Sequence, residues 1–494
     1  MDNAVVIGGG IGGLSIAARL LHDGFNVKLY EKTSSLGGKI NVLKEKDFTF
    51  DLTASLLMIP KDYIEIFRYC GKNYKDYFTI TPIKDLYNVF YHDKTNYTFS
   101  TNLPSLCSTL KKITNNNIQE QSSYFEFLSY TYNKYLTAEK YFLNRPFLKS
   151  YNLVNPYTLT KAYNLHTLSS CYKDCKKYLS NDKLIDYLMF QSMYIGVSPY
   201  SSPNIYNLIP TATQLNGLFY IKGGMYSYVK ALKNLVLDLG GEINLSSCVD
   251  EILFNKDTAI GIKVNNENIY TDKVICSSDY CYSINNLIKN DLIKSSIKTV
   301  DNFEHSCSTF ILYLAVDKKY PSLNLHNIYI NKNFRNNLEA AFVGVIPKDP
   351  SLYIYCPSSI DSSLCPVGCE TINIIVRVPN LNYKNITWDK TNINKLEIKL
   401  LNILSSIPGL EDIKSHIIFK KHLTPVDLKN DYNSYAGSAF GISHHLNQSL
   451  IFRPQYTLPN IKNLYFTGAS VHPGNGTSMV LKSSKICSNM IKKE

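Results

Sequence analysis

No stretch of eighteen apolar residues occurs anywhere in the chain, so nothing in it reads as a span of a lipid bilayer. No block of five or more consecutive Lys and Arg occurs either, which argues against a nucleic-acid-binding tail. There are twelve Cys but no C-x-x-C, and the closest spacings, Cys171/Cys175 and Cys365/Cys369, have no His or second Cys pair at metal-ligand distance. Reduced thiols of a cytoplasmic protein are therefore expected, not a disulfide framework or a zinc site. Met1-Asp2-Asn3 runs straight into a strand pattern, so no signal peptide is expected. Tryptophan is nearly absent, with Trp388 alone against 38 Tyr, a bias of composition that carries little functional weight. What is present is ordinary globular material: 494 residues, 45% hydrophobic and 19% charged. That length can bury a large core and suggests roughly two to four domains. The net charge of +12 favours anionic partners; taken alone it suits a membrane surface and nucleic acid equally.

The first forty residues carry the densest signal. Val5-Val6-Ile7 is apolar at successive positions, as in a strand buried on both faces. Gly8, Gly10 and Gly13 then satisfy G-x-G-x-x-G, with Gly9 and Gly12 making five glycines in six positions around Ile11. Leu14, Ala17, Ala18 and Leu21 recur at helical spacing, and Asn26 to Tyr30 reads as a second strand ending at Glu31. Each residue type has a physical task in dinucleotide binding. Gly8 allows the sharp turn, Gly10 the close approach of a pyrophosphate, and Gly13 the packing of helix on strand. The helix start offers free N–H groups and a positive dipole end, and the acid takes ribose hydroxyls. At this point NAD and FAD both remain open. A second glycine loop follows, Leu36-Gly37-Gly38-Lys39, whose cation can meet the same pyrophosphate from the other side.

Beyond the nucleotide unit, Lys46 to Leu52 reads as a short strand and loop. From about Pro60 to Asn216 the pattern is helical with aromatic faces. Phe125, Leu128, Tyr132, Leu136 and Leu143 predict a core-facing helix over 121–144. Lys111, Lys112, Lys134, Lys140, Arg145, Lys149, Lys173, Lys176 and Lys177 give this region a basic character that would suit an anionic lipid surface. Gly223-Gly224 precedes a helix over 226–239, and the strand patterns at 242–245, 249–254, 259–264 and 273–276 return the chain to the nucleotide unit. Ser308 to Val316 and Thr371 to Val378 read as buried sheet strands. Near the C-terminus, Asn463 to Ser470 is a strand ending in Gly468-Ala469. His472-Pro473-Gly474-Asn475-Gly476 then opens a helix over 477–491. A second strand, glycine and helix start so far along the chain favours FAD, because the dipole end can stabilise negative charge at the N1/C2=O edge of a reduced flavin ring.

Together these pieces resemble the bacterial phytoene-type carotenoid desaturases, flavoproteins related to amine oxidases. The stretches that carry the resemblance are the N-terminal glycines, Phe50-Asp51, Tyr194-Ile195-Gly196 to Pro210, Lys222-Gly223-Gly224-Met225, Gly437-Ser438-Ala439-Phe440, Arg453-Pro454 and Gly468-Ala469-Ser470-x-His472-Pro473-Gly474. The chain departs from the family at Lys39, where Arg is usual, and at Thr53-Ala54-Ser55, where Gly-Pro-Thr is usual. The fold so implied is α/β: a discontinuous Rossmann-like FAD-binding domain (1–57, 218–290 and 452–494) beside a mixed α+β domain for substrate and membrane docking (58–217 and 291–451). The resemblance implies FAD held by Gly8, Gly10, Ile11, Gly12, Gly13, Glu31, Lys32, Gly38, Lys39, Val249, Gly468, Ala469, Gly474 and Gly476, with no metal. It also implies stepwise dehydrogenation of an apolar polyisoprenoid, with hydride passing to flavin, by a cytoplasmic protein peripherally attached to the membrane. Cys70-Gly71-Lys72-Asn73-Tyr74, Lys134-Tyr135, Tyr141-Phe142-Leu143 and the Ile221 to Tyr226 stretch resemble those family members that act on a thirty-carbon precursor, and that resemblance implies the same substrate here. A forty-carbon precursor, or end-group oxidation or isomerisation on the same scaffold, are the alternatives. Arg145, in Asn144-Arg145-Pro146-Phe147 where relatives commonly have Asp-Arg-Pro-Phe, is the implied catalytic residue.

Overall fold

The computed structural model describes residues 2–147, 156, 160, 165, 168–295, 297 and 300–494; Lys149 of the basic series lies outside them. Among the described residues, two large sheets organise the molecule. The first is a five-stranded parallel sheet of β1 (Asn3–Ile7), β2 (Asn26–Tyr30), β3 (Glu242–Asn244), β4 (Lys273–Cys276) and β5 (Leu464–Phe466), in the order β5-β4-β1-β2-β3. Its central strand is β1, whose Ala4 to Ile7 are all buried, as the unbroken apolar run predicts. The strands come from three distant stretches of the chain, and helix α1 (Ile11–His22) packs against both the sheet and the C-terminal helix α3 (Thr477–Ile491).

Gly13 explains how closely α1 sits on β1. A Cβ there would be driven into the Gly8 carbonyl oxygen and lie 3.3 Å from the Ser277 Cβ. Gly8 itself has φ +100°, where L side chains are strained. The second glycine loop closes onto the first: the Gly37 N–H donates to the Gly9 carbonyl at 2.8 Å.

The second sheet has seven strands, in the order Ile417–Leu423, Ser308–Val316, Glu370–Val378, Leu352–Tyr355, His326–Ile330, Asp85–Tyr91 and Asn96–Ser100. The two strands read as buried, Ser308–Val316 and Glu370–Val378, are central neighbours. Because successive side chains alternate faces, Phe310, Leu312, Ile372, Ile374 and Val376 pack under the Lys390–Leu404 helix. Thr309, Ile311, Tyr353, Ile375 and Arg377 face the opposite way. Thr309 pairs with Arg377, and Ile375 stands between Ile311 and Tyr353.

The helix expected over 121–144 runs as α2 (Ile118–Ala138) and continues as a wider turn over Glu139–Leu143. Its buried face is not the one expected. Tyr124, Phe127, Leu128, Thr131, Lys134, Tyr135 and Ala138 point inward, while Phe125 and Tyr132 are only partly covered and Leu136 is 45% exposed. The buried face carries its own apolar series, Tyr124, Phe127, Leu128, Tyr135 and Ala138, and its polar members are paired: Thr131 bonds Thr211, and Lys134 reaches Asp174 at 3.4 Å. Lys134, read as surface basicity, is thus a buried ion pair. Among the described residues no helix is long and apolar enough to cross a membrane.

Candidate active site

The glycines end their strands at one edge of the parallel sheet. There a cavity of about 280 Å³ is lined by Gly8, Gly10, Ile11, Gly12, Glu31, Lys32, Gly38, Lys39, Val249, Gly468, Ala469 and Gly476, among others. The expected binding residues therefore converge, with two exceptions. Gly13 packs against Gly8 beneath the cavity, and Gly474 (φ +137°) packs against His444, whose Nε2 occupies the place of its missing Cβ.

Electrostatics at this cavity favour an anionic ligand. Other helices begin with a side-chain cap, among them Asn117 on α2, Asp389 on Lys390–Leu404, and Thr424 in a capping box on Pro425–Tyr432. α1 and α3 begin instead at Gly10 and Gly476, with no side-chain cap, so their first N–H groups are left to whatever fills the cavity. A Cβ on Gly10 would meet nothing nearer than the Gly37 carbonyl oxygen at 4.0 Å, and one on Gly476 nothing within 4 Å. Protein packing therefore does not require glycine at Gly10, and the space beside it is open to a ligand's close approach. The buried Glu31 carboxylate accepts from the Gly9 N–H at 2.7 Å and from the Thr33 N–H and hydroxyl at 2.9 Å, which fixes it at the end of β2. Lys32 is turned to Asn433 Oδ1 at 2.8 Å. Lys39 donates to the Ala439 carbonyl at 3.2 Å, and burial pushes its ammonium pKa down against the pull of Asp279.

A second cavity, of about 420 Å³, abuts the first; Lys39, Ala439, Phe440, Asn475, Gly476 and Thr477 line both. Its floor is the free face of the seven-stranded sheet, and its walls come from α2, Leu208–Asn216 and the turns at 446–450. Among the described residues no Asp or Glu lines it. At the junction Asn475 donates from Nδ2 to the Ile195 carbonyl at 3.1 Å, while its Oδ1 is buried with no donor. His444 is held neutral beside it, because burial and the nearby Arg453 push its pKa well down. Burial likewise drops His472 to about 4. These features suit a polar ring placed between two cavities: uncapped amides on one side, an orphaned acceptor on the other, and acids confined to the nucleotide side, at Glu31, Asp279 and Asp431.

Arg145 lies beside the site without lining either cavity. Its carbonyl accepts from His472 Nε2 at 3.1 Å and its guanidinium stands 5.3 Å from the Phe147 ring centre. Thr53-Ala54-Ser55, where the sequence departs from the family pattern, lines the larger cavity. Asp279 and Arg377 carry no signal of a site in the sequence, the first a loop residue and the second a polar position in a mostly apolar strand pattern.

The arrangement defines a class: a dinucleotide-binding α/β protein with an apolar chamber set against the far end of the nucleotide cavity. Comparison with known proteins gives the family. The model for flavin containing amine oxidoreductases matches residues 11–325, and the chain belongs to that family. It is 36% identical over 487 residues to a 4,4'-diapophytoene desaturase (4,4'-diaponeurosporene-forming) of Staphylococcus haemolyticus, with 97% of each chain covered. The enzyme of the same name from Staphylococcus aureus is 35% identical over 488 residues, again with 97% of each chain covered. The fold is shared with cyclohexylamine oxidase of Brevibacterium oxydans at a TM-score of 0.61 and 12% identity, covering 100% of this chain and 99% of that one.

Proposed function

We propose that this protein is an FAD-dependent desaturase that dehydrogenates a thirty-carbon polyisoprenoid, 4,4'-diapophytoene, in successive steps to a coloured polyene. The observation that carries the reading is the apolar chamber without a carboxylate that meets the glycine-lined cavity at Lys39, Ala439, Phe440, Asn475, Gly476 and Thr477. Similarity to diapophytoene desaturases over nearly the whole chain supports the choice of substrate.

FAD when bound supplies the hydride acceptor for a carbon–carbon dehydrogenation. In this reading the uncapped N-terminus of α1 faces the pyrophosphate, Lys39 adds a positive charge, and Glu31 takes the ribose hydroxyls. Lys32, Gly38 and Val249 line the same half. Gly468, Ala469 and Gly476 back the ring end, and Gly13 and Gly474 act by shaping the turns. The chamber walls hold an apolar chain in register and exclude water, which is most of what a substrate without polar handles requires. Arg145, fixed through His472 and Phe147, would act by positioning the wall near the ring, not as a base.

The reading extends to a peripheral membrane attachment, since such a substrate resides in lipid. Leu446 both lines the chamber and is 43% exposed, and Phe452 in the following turn is 58% exposed. These side chains would form an apolar rim through which substrate enters from a lipid surface. Co-expression with synthases of the thirty-carbon and the forty-carbon precursor, side by side, tests the function. A polyene spectrum with the thirty-carbon precursor is expected; colourless extracts containing folded, flavin-loaded protein would overturn it.

A further inference from the structure

Arg377 is out of keeping with a chamber for hydrocarbon alone. It lies on the Glu370–Val378 strand and points with Ile375 and Thr309 from the sheet floor into the larger cavity. Its Nε donates to the Met193 carbonyl at 3.0 Å, and its guanidinium carbon stands 4.7 Å from the centre of the Phe440 ring. Nη1 and Nη2 have no acceptor among the described residues. Cys307, Tyr194 and Tyr353 face the group, and no carboxylate does. No acid lines the cavity, and by sequence none stands among the residues outside the described set. Burial penalises the guanidinium charge; the Met193 carbonyl, the Phe440 ring, Cys307 and the two tyrosines offset part of that penalty, but no carboxylate pairs with it. Lys39, the other cation in the chamber, is directed to the Ala439 carbonyl and the nucleotide side. Arg377 is thus a planar, always charged donor pair open to an apolar tunnel.

An anion with a long apolar tail satisfies both features at once. We propose that the chamber also binds long-chain monocarboxylates, with the carboxylate on Arg377 Nη1 and Nη2 and the tail along Ile375, Ile311 and Ile209 toward the Leu446 rim. The head would then lie beside Phe440, at the junction of the two cavities, so such acids would compete with the hydrocarbon. The inference rests on the proposed desaturation only for that competition; binding itself is read without turnover.

Calorimetry on the purified, flavin-loaded protein with dodecanoate, dodecanol and acetate tests it. Charge-assisted hydrogen bonds to a desolvated group are worth roughly ten- to a hundredfold in affinity. Dodecanoate is expected to bind at least about tenfold more tightly than dodecanol, and acetate not measurably. Arg377→Met should erase the preference while dodecanol binding is kept, and Arg377→Lys should restore part of it. In the wild type the preference should fall as pH drops through the acid's own pKa of about 5. Equal binding of acid and alcohol, or a preference indifferent both to Arg377→Met and to pH, would overturn the proposal. Loss of desaturase activity in the co-expression assay would leave it standing, because that assay does not read this binding.

Discussion

Asp51 offers a quantitative test of how two motifs support each other. It ends the Phe48–Asp51 strand, is 5% exposed, and accepts from the Met225 N–H at 2.8 Å and the Tyr355 hydroxyl at 3.0 Å. Gly223 and Gly224, with φ of +81° and +83°, bring that N–H within reach, and a Cβ on Gly224 would lie 2.7 Å from the Asp51 carboxylate. Asp361 holds the other side of the turn, accepting from the Gly223 N–H at 2.7 Å and from Tyr220 at 2.9 Å. Burial raises the Asp51 pKa from 3.8 to about 7, with Asp361 adding to the rise and the Tyr355 hydroxyl and the Met225 and Tyr226 N–H groups opposing it. The folded protein therefore keeps a proton that the unfolded chain releases between these values. Stability should fall as pH rises from about 4 to 7 and then level off. Roughly three units at 1.36 kcal/mol each set an upper bound of about 4 kcal/mol for this one group. Asp51→Asn removes the titration and costs about 1 kcal/mol through the altered bond to Tyr355. Urea unfolding of both proteins at pH 5, 6, 7 and 8 should show the variant less stable at the acid end and gaining on the wild type as pH rises. Other titrating groups cancel in the difference. A difference that stays constant with pH would refute the reasoning.

Three further perturbations separate cofactor, tunnel and scaffold. Glu31→Gln should weaken flavin affinity roughly tenfold or more, since charge-assisted hydrogen bonds are lost; flavin fluorescence titration reads this. Ile209→Trp should narrow the larger cavity and cut polyene yield severely while flavin content per protein stays unchanged. Arg453, 2% exposed, donates to the carbonyls of Ile442, Ser443, Ala469 and Val471 at 2.8–3.3 Å, and burial lowers its pKa to about 10. Arg453→Met should orphan those carbonyls and cost roughly 3 kcal/mol or more, seen as a lowered melting temperature.

The nucleotide half was legible because its signals are local. Strand, glycine turn, helix and acid lie within thirty-one residues, and each glycine answers a backbone demand visible in the pattern. Helix α3 was equally plain, since Gly476 and the apolar spacing after it mark its start. The chamber was not legible in the same way. Its floor comes from residues on one face of a sheet whose strands lie far apart in sequence, so Arg377 and Tyr353 meet only through strand pairing. Periodicity also misled on α2. The helix carries two overlapping apolar stripes, and the buried one is Tyr124, Phe127, Leu128, Tyr135 and Ala138, on whose face Thr131 and Lys134 also pair with Thr211 and Asp174. Asp51 was noted as part of a motif, yet its partner loop lies some 170 residues later and nothing in the sequence joins them.

The most direct test of the central claim is anaerobic. Purified, flavin-loaded protein is mixed with 4,4'-diapophytoene in liposomes, and the oxidised-flavin absorbance is followed together with the polyene bands. The account predicts that the flavin bleaches in step with the appearance of a longer conjugated chromophore. A flavin that stays oxidised, with no new polyene band, would contradict it.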